Sequence, residues 1–183
     1  MNYTRKRRDI LYKGVVFDLI VDYIEYPSGN GSVREVAKHP GGAVVVPVFD
    51  NGDVLMIKQY RYPIDEIIYE LPAGKLDPDE DPEDCARREL EEETGYRAER
   101  LEKLTAFYTT PGFCTEKLHI YLATGLKKLE SGQQLEEGEA SISIETIPVK
   151  KTLEMIESQE IVDGKTIVGL FLAIRHVEIR DSH

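Results

Sequence analysis

The sequence predicts a single α+β domain, and three observations carry that prediction. The first half of this 183-residue chain is a series of short apolar segments separated by Pro, Gly, Asn and Asp turns, the pattern of strands. One helix, opening at Asp81, has both ends marked by capping residues. Two more helical stretches, Thr152–Ser158 and Lys165–His176, lie near the end. Strands with a few helices around one core make a mixed-sheet α+β architecture. The length suits one domain of roughly 100–200 residues, and 41% hydrophobic residues suffice for one packed core.

Element by element, Met1–Asp9 carries Arg5, Lys6, Arg7 and Arg8 and reads as a solvated basic arm. Val15–Tyr26 and Ser32–Lys38 flank the turn Pro27-Ser28-Gly29-Asn30-Gly31 and form a hairpin. Ala43–Phe49 (AVVVPVF) is continuously apolar, as a strand buried on both faces should be. The turn Asp50-Asn51-Gly52-Asp53 leads to a strand at Val54–Tyr60, and Ile67–Leu71 is another. Asp81 is an N-cap, Pro82 the first helical residue, and Glu83 and Asp84 favour the positive end of the helix. That helix runs to Thr94 and stops at Gly95. Strands follow at Leu101–Thr109, Leu118–Thr124 and Ser141–Ile147, with a polar loop at Ser131–Gly138.

Lys and Arg total 23 against 34 Asp and Glu, a net charge of −11. Such a chain repels nucleic-acid backbones and anionic membranes, so neither is an expected partner. A cluster of carboxylates holding a divalent cation would reverse that sign locally. Cys85 and Cys114 are too few for a disulfide framework or a four-ligand zinc site. No secretory signal follows the basic start, and no apolar run reaches membrane-span length, so the expected setting is cytoplasmic.

The chemistry concentrates on the capped helix. Glu89, Glu92 and Glu93 stand at i, i+3 and i+4, so their carboxylates share one face. Ala86 and Leu90 form an apolar pair able to anchor the opposite side, leaving the acids as a surface stripe. Several oxygen ligands on a rigid element are what a hard divalent cation requires. Arg88 can orient a carboxylate from Glu80 or from this cluster.

Gly74, Glu80, Arg88, Glu89, Leu90, Glu92, Glu93, Gly95 and Tyr96 together resemble the Nudix box, matching it without gap or substitution over 23 residues. Resemblance to a Nudix domain extends from about Val15 to Arg175. It implies an α/β/α sandwich around a mixed sheet, and hydrolysis of a nucleoside diphosphate linked to another group, with Mg²⁺ or Mn²⁺. Mapped onto this chain, the metal would be held by Glu89, Glu92 and Glu93 and by the backbone carbonyl of Ala73. Its implied role is to neutralise and orient the pyrophosphate and to acidify an attacking water.

Features outside the box resemble the ADP-ribose pyrophosphatase branch. Glu70-Leu71-Pro72-Ala73-Gly74 leads into the box as it does there, and Gln59-Tyr60-Arg61 resembles the strand bearing a substrate-facing arginine. Arg34-Glu35-Val36, followed by His39-Pro40-Gly41-Gly42, resembles the strand and turn before the central sheet. Pro111 lies sixteen residues past Gly95, the spacing diagnostic of the branch, and Ile161–Thr166 resembles its C-terminal helix start. The resemblance therefore implies a nucleoside diphosphate sugar as substrate. Arg61 would bind phosphate, Arg34, Glu70 and Pro111 would be substrate-binding, and Glu116 would accept ribose hydroxyls. Phe113 or Tyr108 would pack on a base or sugar.

The late acidic ligand or base departs from the family pattern. An ungapped match through Pro148 puts Gly138 and Ala140 at the usual acidic positions. Glu139 falls between them and is the expected ligand or base, with Glu136 and Glu137 as alternatives. GDP-mannose and NADH remain alternative substrates, although the four-cysteine module of many NADH-cleaving relatives is absent. A silent Nudix-like binding domain is a further alternative, against which the complete box argues. The expected organisation is an arm and hairpin at 1–38 that mediates homodimerisation, then a Nudix domain at 39–183. Relatives in this branch resemble homodimers whose N-terminal strands pack on the partner, which could bring Arg34 to the neighbouring site.

Overall fold

The computed structural model describes residues 2–181, the side chains of 177–181 excepted. Its strands are β1 (Thr4–Lys13), β2 (Asp18–Glu25), β3 (Gly31–Lys38), β4 (Gly42–Pro47), β5 (Asp53–Arg61), β6 (Glu66–Glu70) and β7 (Ala73–Lys75), then β8 (Tyr96–Tyr108), β9 (Lys117–Lys128) and β10 (Ser143–Pro148). The helices are α1 (Pro82–Thr94), α2 (Lys151–Glu157) and α3 (Gly164–Asp181). The class is α+β, with the strands divided among three sheets ordered β1-β2-β3, β10-β5-β6 and β7-β4-β9-β8. Among the described residues no helix is long and apolar enough to cross a membrane.

The chain forms two compact units, Met1–Gly41 with Phe107–Leu118, and Gly42–Ala106 with His119–His183. In the first, the basic start is not a solvated arm. Thr4–Lys13 pairs antiparallel with β2, and β2 pairs with β3, making three strands where the sequence suggested two. The physical reason is a carboxylate: Asp22 of β2 is almost buried, and Arg8 grips it through Nε and Nη2 at 2.7 and 2.6 Å. That hydrogen-bonded pairing holds the Asp22 carboxyl below its ordinary range. Lys6 pairs with Glu25 at 2.8 Å, so the like charges of the start are matched across the ladder. The Phe107–Leu118 segment joins β3 through Ala37 N–H to the Phe113 carbonyl and Thr115 N–H to the Ala37 carbonyl.

In the second unit, β4 is buried along its whole length, as its unbroken apolar sequence requires. Period-two alternation divides its side chains between two helices. Ala43 and Val45 pack with Cys85, Ala86 and Leu90 of α1, and with Tyr121 and Ala123 of β9. Val46 lies on the α3 side, where a Cβ at Gly169 would stand 2.6 Å from Leu71 and 3.2 Å from Val46. Gly169 thus lets α3 approach the sheet closely, and the two helices sandwich β4. α1 keeps the ends read from sequence. Asp81 accepts from the Glu83 N–H at 2.8 Å, and Gly95 adopts φ 71°, donating to the Glu91 carbonyl.

Candidate active site

The acidic residues of α1 do not form the surface stripe expected of them. Glu93 is 1% exposed and Glu89 7%, whereas Glu92 remains partly open to solvent. β7 covers them: Ala73 N–H donates to Glu93 Oε2 at 2.9 Å, and Glu89 lies over Gly74. Gly74 has a steric role, since a Cβ there would lie 1.8 Å from Glu89 Oε1.

Burial of two carboxylates this close is electrostatically costly. Desolvation pushes the Glu93 carboxyl up to about 8, reinforced by the charges of Glu89 and Glu139. Desolvation likewise lifts Glu89 to about 7, opposed by Arg88 and reinforced by Glu92 and Glu139. Arg88 is the local organiser. Its Nε and Nη2 donate to the two oxygens of Glu80 at 2.9 and 3.1 Å. Its Nη1 reaches Glu89 at 2.6 Å and Glu92 at 3.1 Å. Glu80 also accepts from the Asp77 N–H, and chiefly through Arg88 its carboxyl falls below the ordinary range. With Glu89 and Glu92 turned toward Arg88, no metal-ready cluster of three His, Cys, Asp or Glu side chains occurs among the described residues.

The donor chemistry nevertheless fits a hard divalent cation. Carboxylates of Glu89, Glu92 and Glu93 with the neighbouring backbone of Ala73 offer only oxygen, and a cation would relieve the charge that burial makes unfavourable. Glu139 is in the same neighbourhood, acting on both buried acids. It sits in a short 3₁₀ turn, Glu137–Glu139, where its Oε2 accepts from the Glu136 N–H at 3.3 Å.

A second charged group lies at the junction of β5, β6 and α3. Arg61 Nε and Nη2 bind Glu70 at 2.6 and 2.7 Å, and Lys165 also bonds Glu70. Glu70 is 1% exposed; burial would raise its carboxyl, but Arg61 and Lys165 outweigh burial and bring it below the ordinary value. Lys165 and Asp163 belong to the segment that the sequence marks only as a helix start; Asp163 holds Lys165, and Lys165 bonds Glu70. The separation of 95 residues along the chain hides it, and the sole signal was that motif.

The remaining sequence candidates lie in the first unit. Arg34, on β3, donates to Tyr26 Oη at 2.5 Å and Ser32 Oγ at 2.7 Å. Pro111 and Phe113 occupy the loop before β9, with Phe113 exposed like Tyr108. Glu116 accepts from Thr109 Oγ1 at 2.8 Å and lies 3.6 Å from His39 Nδ1.

The NUDIX domain pattern matches residues 38–163, more than half of the chain. An ADP-ribose pyrophosphatase of Bacillus subtilis (strain 168) is 42% identical over 175 residues, covering 96% of this chain and 92% of that protein. A methanol dehydrogenase activator of Bacillus methanolicus is 40% identical over 172 residues, covering 94% and 90%. A solved structure described as an ADP compounds hydrolase superposes with a TM-score of 0.83, covering 98% of this chain and 96% of that one; at 20% identity it speaks for the fold. A box complete in sequence, a helix that gathers its acids, and similarity over most of the length lead to one conclusion: the chain belongs to the Nudix family.

Proposed function

We propose that this chain hydrolyses the pyrophosphate bond of ADP-ribose or a related ADP-sugar, yielding AMP and a sugar phosphate, in a reaction dependent on Mg²⁺ or Mn²⁺. The observation that carries the reading is the buried pair Glu89 and Glu93, two carboxylates gathered on one face of α1 beneath Ala73 and Gly74. Its likeness to the Bacillus subtilis ADP-ribose pyrophosphatase supports the substrate class.

Glu89, Glu92 and Glu93, the Ala73 carbonyl and Glu139 are the groups that would hold the metal. A bound divalent cation supplies charge neutralisation of the diphosphate and acidification of water. The protein's own groups do the rest. Arg88, itself held by Glu80, binds Glu89 and Glu92 and so governs where those two acids point. Arg61 contributes a guanidinium suited to a phosphate, on a side chain 38% exposed. Glu139 accepts the proton of the attacking water, or ligates; Glu136 and Glu137 are the alternatives. Water adds to one phosphorus, the bridging P–O bond breaks, and the departing phosphate carries away the electron pair.

The first unit extends the reading. Arg34, Pro111, Phe113 and Glu116 are proposed to contact nucleoside or sugar. The N-terminal sheet is proposed to form a homodimer, with the exposed apolar residues Ile10, Leu11, Tyr12, Val15, Val16 and Phe17 as its contact. Two free cysteines, Cys85 and Cys114, suit a reducing cytoplasm.

The deciding experiment offers ADP-ribose, GDP-mannose and NADH to the full chain with Mg²⁺, with Mn²⁺, and after exhaustive chelation. The expected result is metal-dependent release of AMP and ribose 5-phosphate, with ADP-ribose preferred. Turnover that survives chelation, or preference for GDP-mannose, would overturn the metal or the substrate assignment respectively.

A further inference from the structure

The Asp163-Gly164-Lys165-Thr166 segment opens α3, and two of its side chains turn to structural partners. Asp163 caps the helix, its Oδ2 accepting from Thr166 N–H at 3.0 Å. Thr166 is fully buried, and its Oγ1 accepts from Leu71 N–H at 2.9 Å, tying α3 to the chain between β6 and β7. Lys165 does something else. Its ammonium lies between Asp163 Oδ2, at 3.0 Å, and Oε2 of the buried Glu70. The same Glu70 carboxylate holds two of the three Arg61 guanidinium nitrogens. Nη1 keeps its protons free among the described residues.

We propose that Lys165 is a positioning residue: clamped by Asp163, it fixes the Glu70 carboxylate so that Arg61 is held by Nε and Nη2 with Nη1 left for a substrate phosphate. This inference rests on the use of Arg61 proposed above. Two physical effects converge on it. A carboxylate held from one side only can turn about its terminal torsion, which is soft; a second donor on Oε2, mounted on a capped helix, removes that freedom. Lys165 also balances charge, because Arg61 and Lys165 oppose Glu70 and Asp163 one for one. Without the ammonium the group carries a net negative charge beside the place proposed for an anionic substrate, and both consequences weaken ground-state binding. The fold has a separate fastening, since the Thr166 bond and the Asp163 cap do not pass through Lys165.

Lys165→Met and Lys165→Arg test this. With ADP-ribose at saturating Mg²⁺, Lys165→Met should raise KM about tenfold with kcat within about threefold, and Lys165→Arg should restore KM to within about threefold of wild type. An unchanged KM, or a fall in kcat alone, overturns the proposal. A second readout does not depend on turnover. The Arg61 Nε–H resonance in a ¹H–¹⁵N spectrum, identified by its loss in Arg61→Lys, should exchange slowly in wild type and quickly in Lys165→Met; equal exchange overturns the proposal. If wild type fails to cleave ADP-ribose, the functional reading falls while the exchange measurement still judges the positioning role. Should Lys165→Met not fold, Asp163→Asn retains a capping oxygen and is judged by the same exchange measurement: faster exchange supports the proposal, and wild-type exchange overturns it.

Discussion

Gly74→Ala is the sharpest perturbation the structure offers, because one added carbon meets one functional group. A Cβ built on Gly74 would stand 1.8, 2.0 and 2.5 Å from Oε1, Cδ and Oε2 of Glu89. Ordinary contact begins near 3.4 Å, so the Glu89 carboxyl carbon must retreat at least about 1.4 Å, the difference from 2.0 Å. The obstacle is the mobile end of a side chain and not backbone, so β7 and its pairing with β4 can stay where they are. Arg88, bonded to Glu89 at 2.6 Å, must follow or let go. Misplacement of a catalytic group by about 1 Å can cost on the order of 10²-fold. The expected result is therefore a folded protein with kcat/KM for ADP-ribose down by about 10²-fold and a much higher Mg²⁺ requirement. Thermal melting by circular dichroism and Mg²⁺ titration of turnover measure the two halves. Wild-type turnover at wild-type Mg²⁺ would refute the reasoning, as would loss of the fold, since then the added carbon meets something rigid.

Glu93→Gln should lower turnover by orders of magnitude while the fold persists, because the amide keeps an oxygen for Ala73 N–H and removes a buried charge; near-wild-type turnover at saturating Mg²⁺ would count against Glu93 as a ligand. Raised carboxyls at Glu89 and Glu93 contribute stability that is complete below the unfolded value near 4.5 and is lost as pH rises through about 7 and about 8. Metal-free protein should therefore lose on the order of a few kcal/mol from this pair between pH 5 and 8.5, and Mg²⁺ should raise Tm far more at pH 8.5 than at pH 5.5; an equal rise at both would be the contrary result. Glu70, held low by Arg61 and Lys165, acts in the opposite sense, its contribution present above about 4.5 and lost in acid. Val16→Glu with Phe17→Glu, both at exposed positions, should turn a sedimenting dimer into monomers without lowering Tm; a wild-type chain already monomeric at micromolar concentration would refute the dimer.

What was legible in the sequence was whatever a local rule controls. The ends of α1 follow from Asp81, Pro82 and Gly95 alone, and β4 from the apolar run Ala43–Phe49, although the strand itself is Gly42–Pro47. The first strand was not legible, because the run Arg5-Lys6-Arg7-Arg8 gives no hydrophobic alternation and its pairing depends on Asp22 and Glu25. β7 was missed for a similar reason: three residues, Ala73–Lys75, carry no period, and only the register against Gly42–Val44 makes them a strand. The burial of Glu89 and Glu93 was inverted for a related reason. Helical spacing says which acids share a face; it cannot say that the chain before Gly74 folds over that face.

The same limit explains why the site was half legible. A motif of fixed spacing lists residues that one helix can gather, and Glu80, Arg88, Glu89, Glu92 and Glu93 are gathered as the spacing requires. Groups delivered by separate elements obey no spacing. Glu139 acts on the acids through its charge from a separate 3₁₀ turn, and Lys165 reaches Glu70 across 95 residues. The position of Lys165 depends on packing of the unit, in particular on Gly169 letting α3 close on Leu71 and Val46. A side chain at Gly169 would push α3 outward, and with it Lys165 and Thr166, from the strand that carries Glu70 and Leu71. The acids of the box therefore take their spacing from one helix and their cover from Ala73 and Gly74, whereas Arg61 is placed through Glu70 and Lys165 and so depends on the packing of α3 against the sheet.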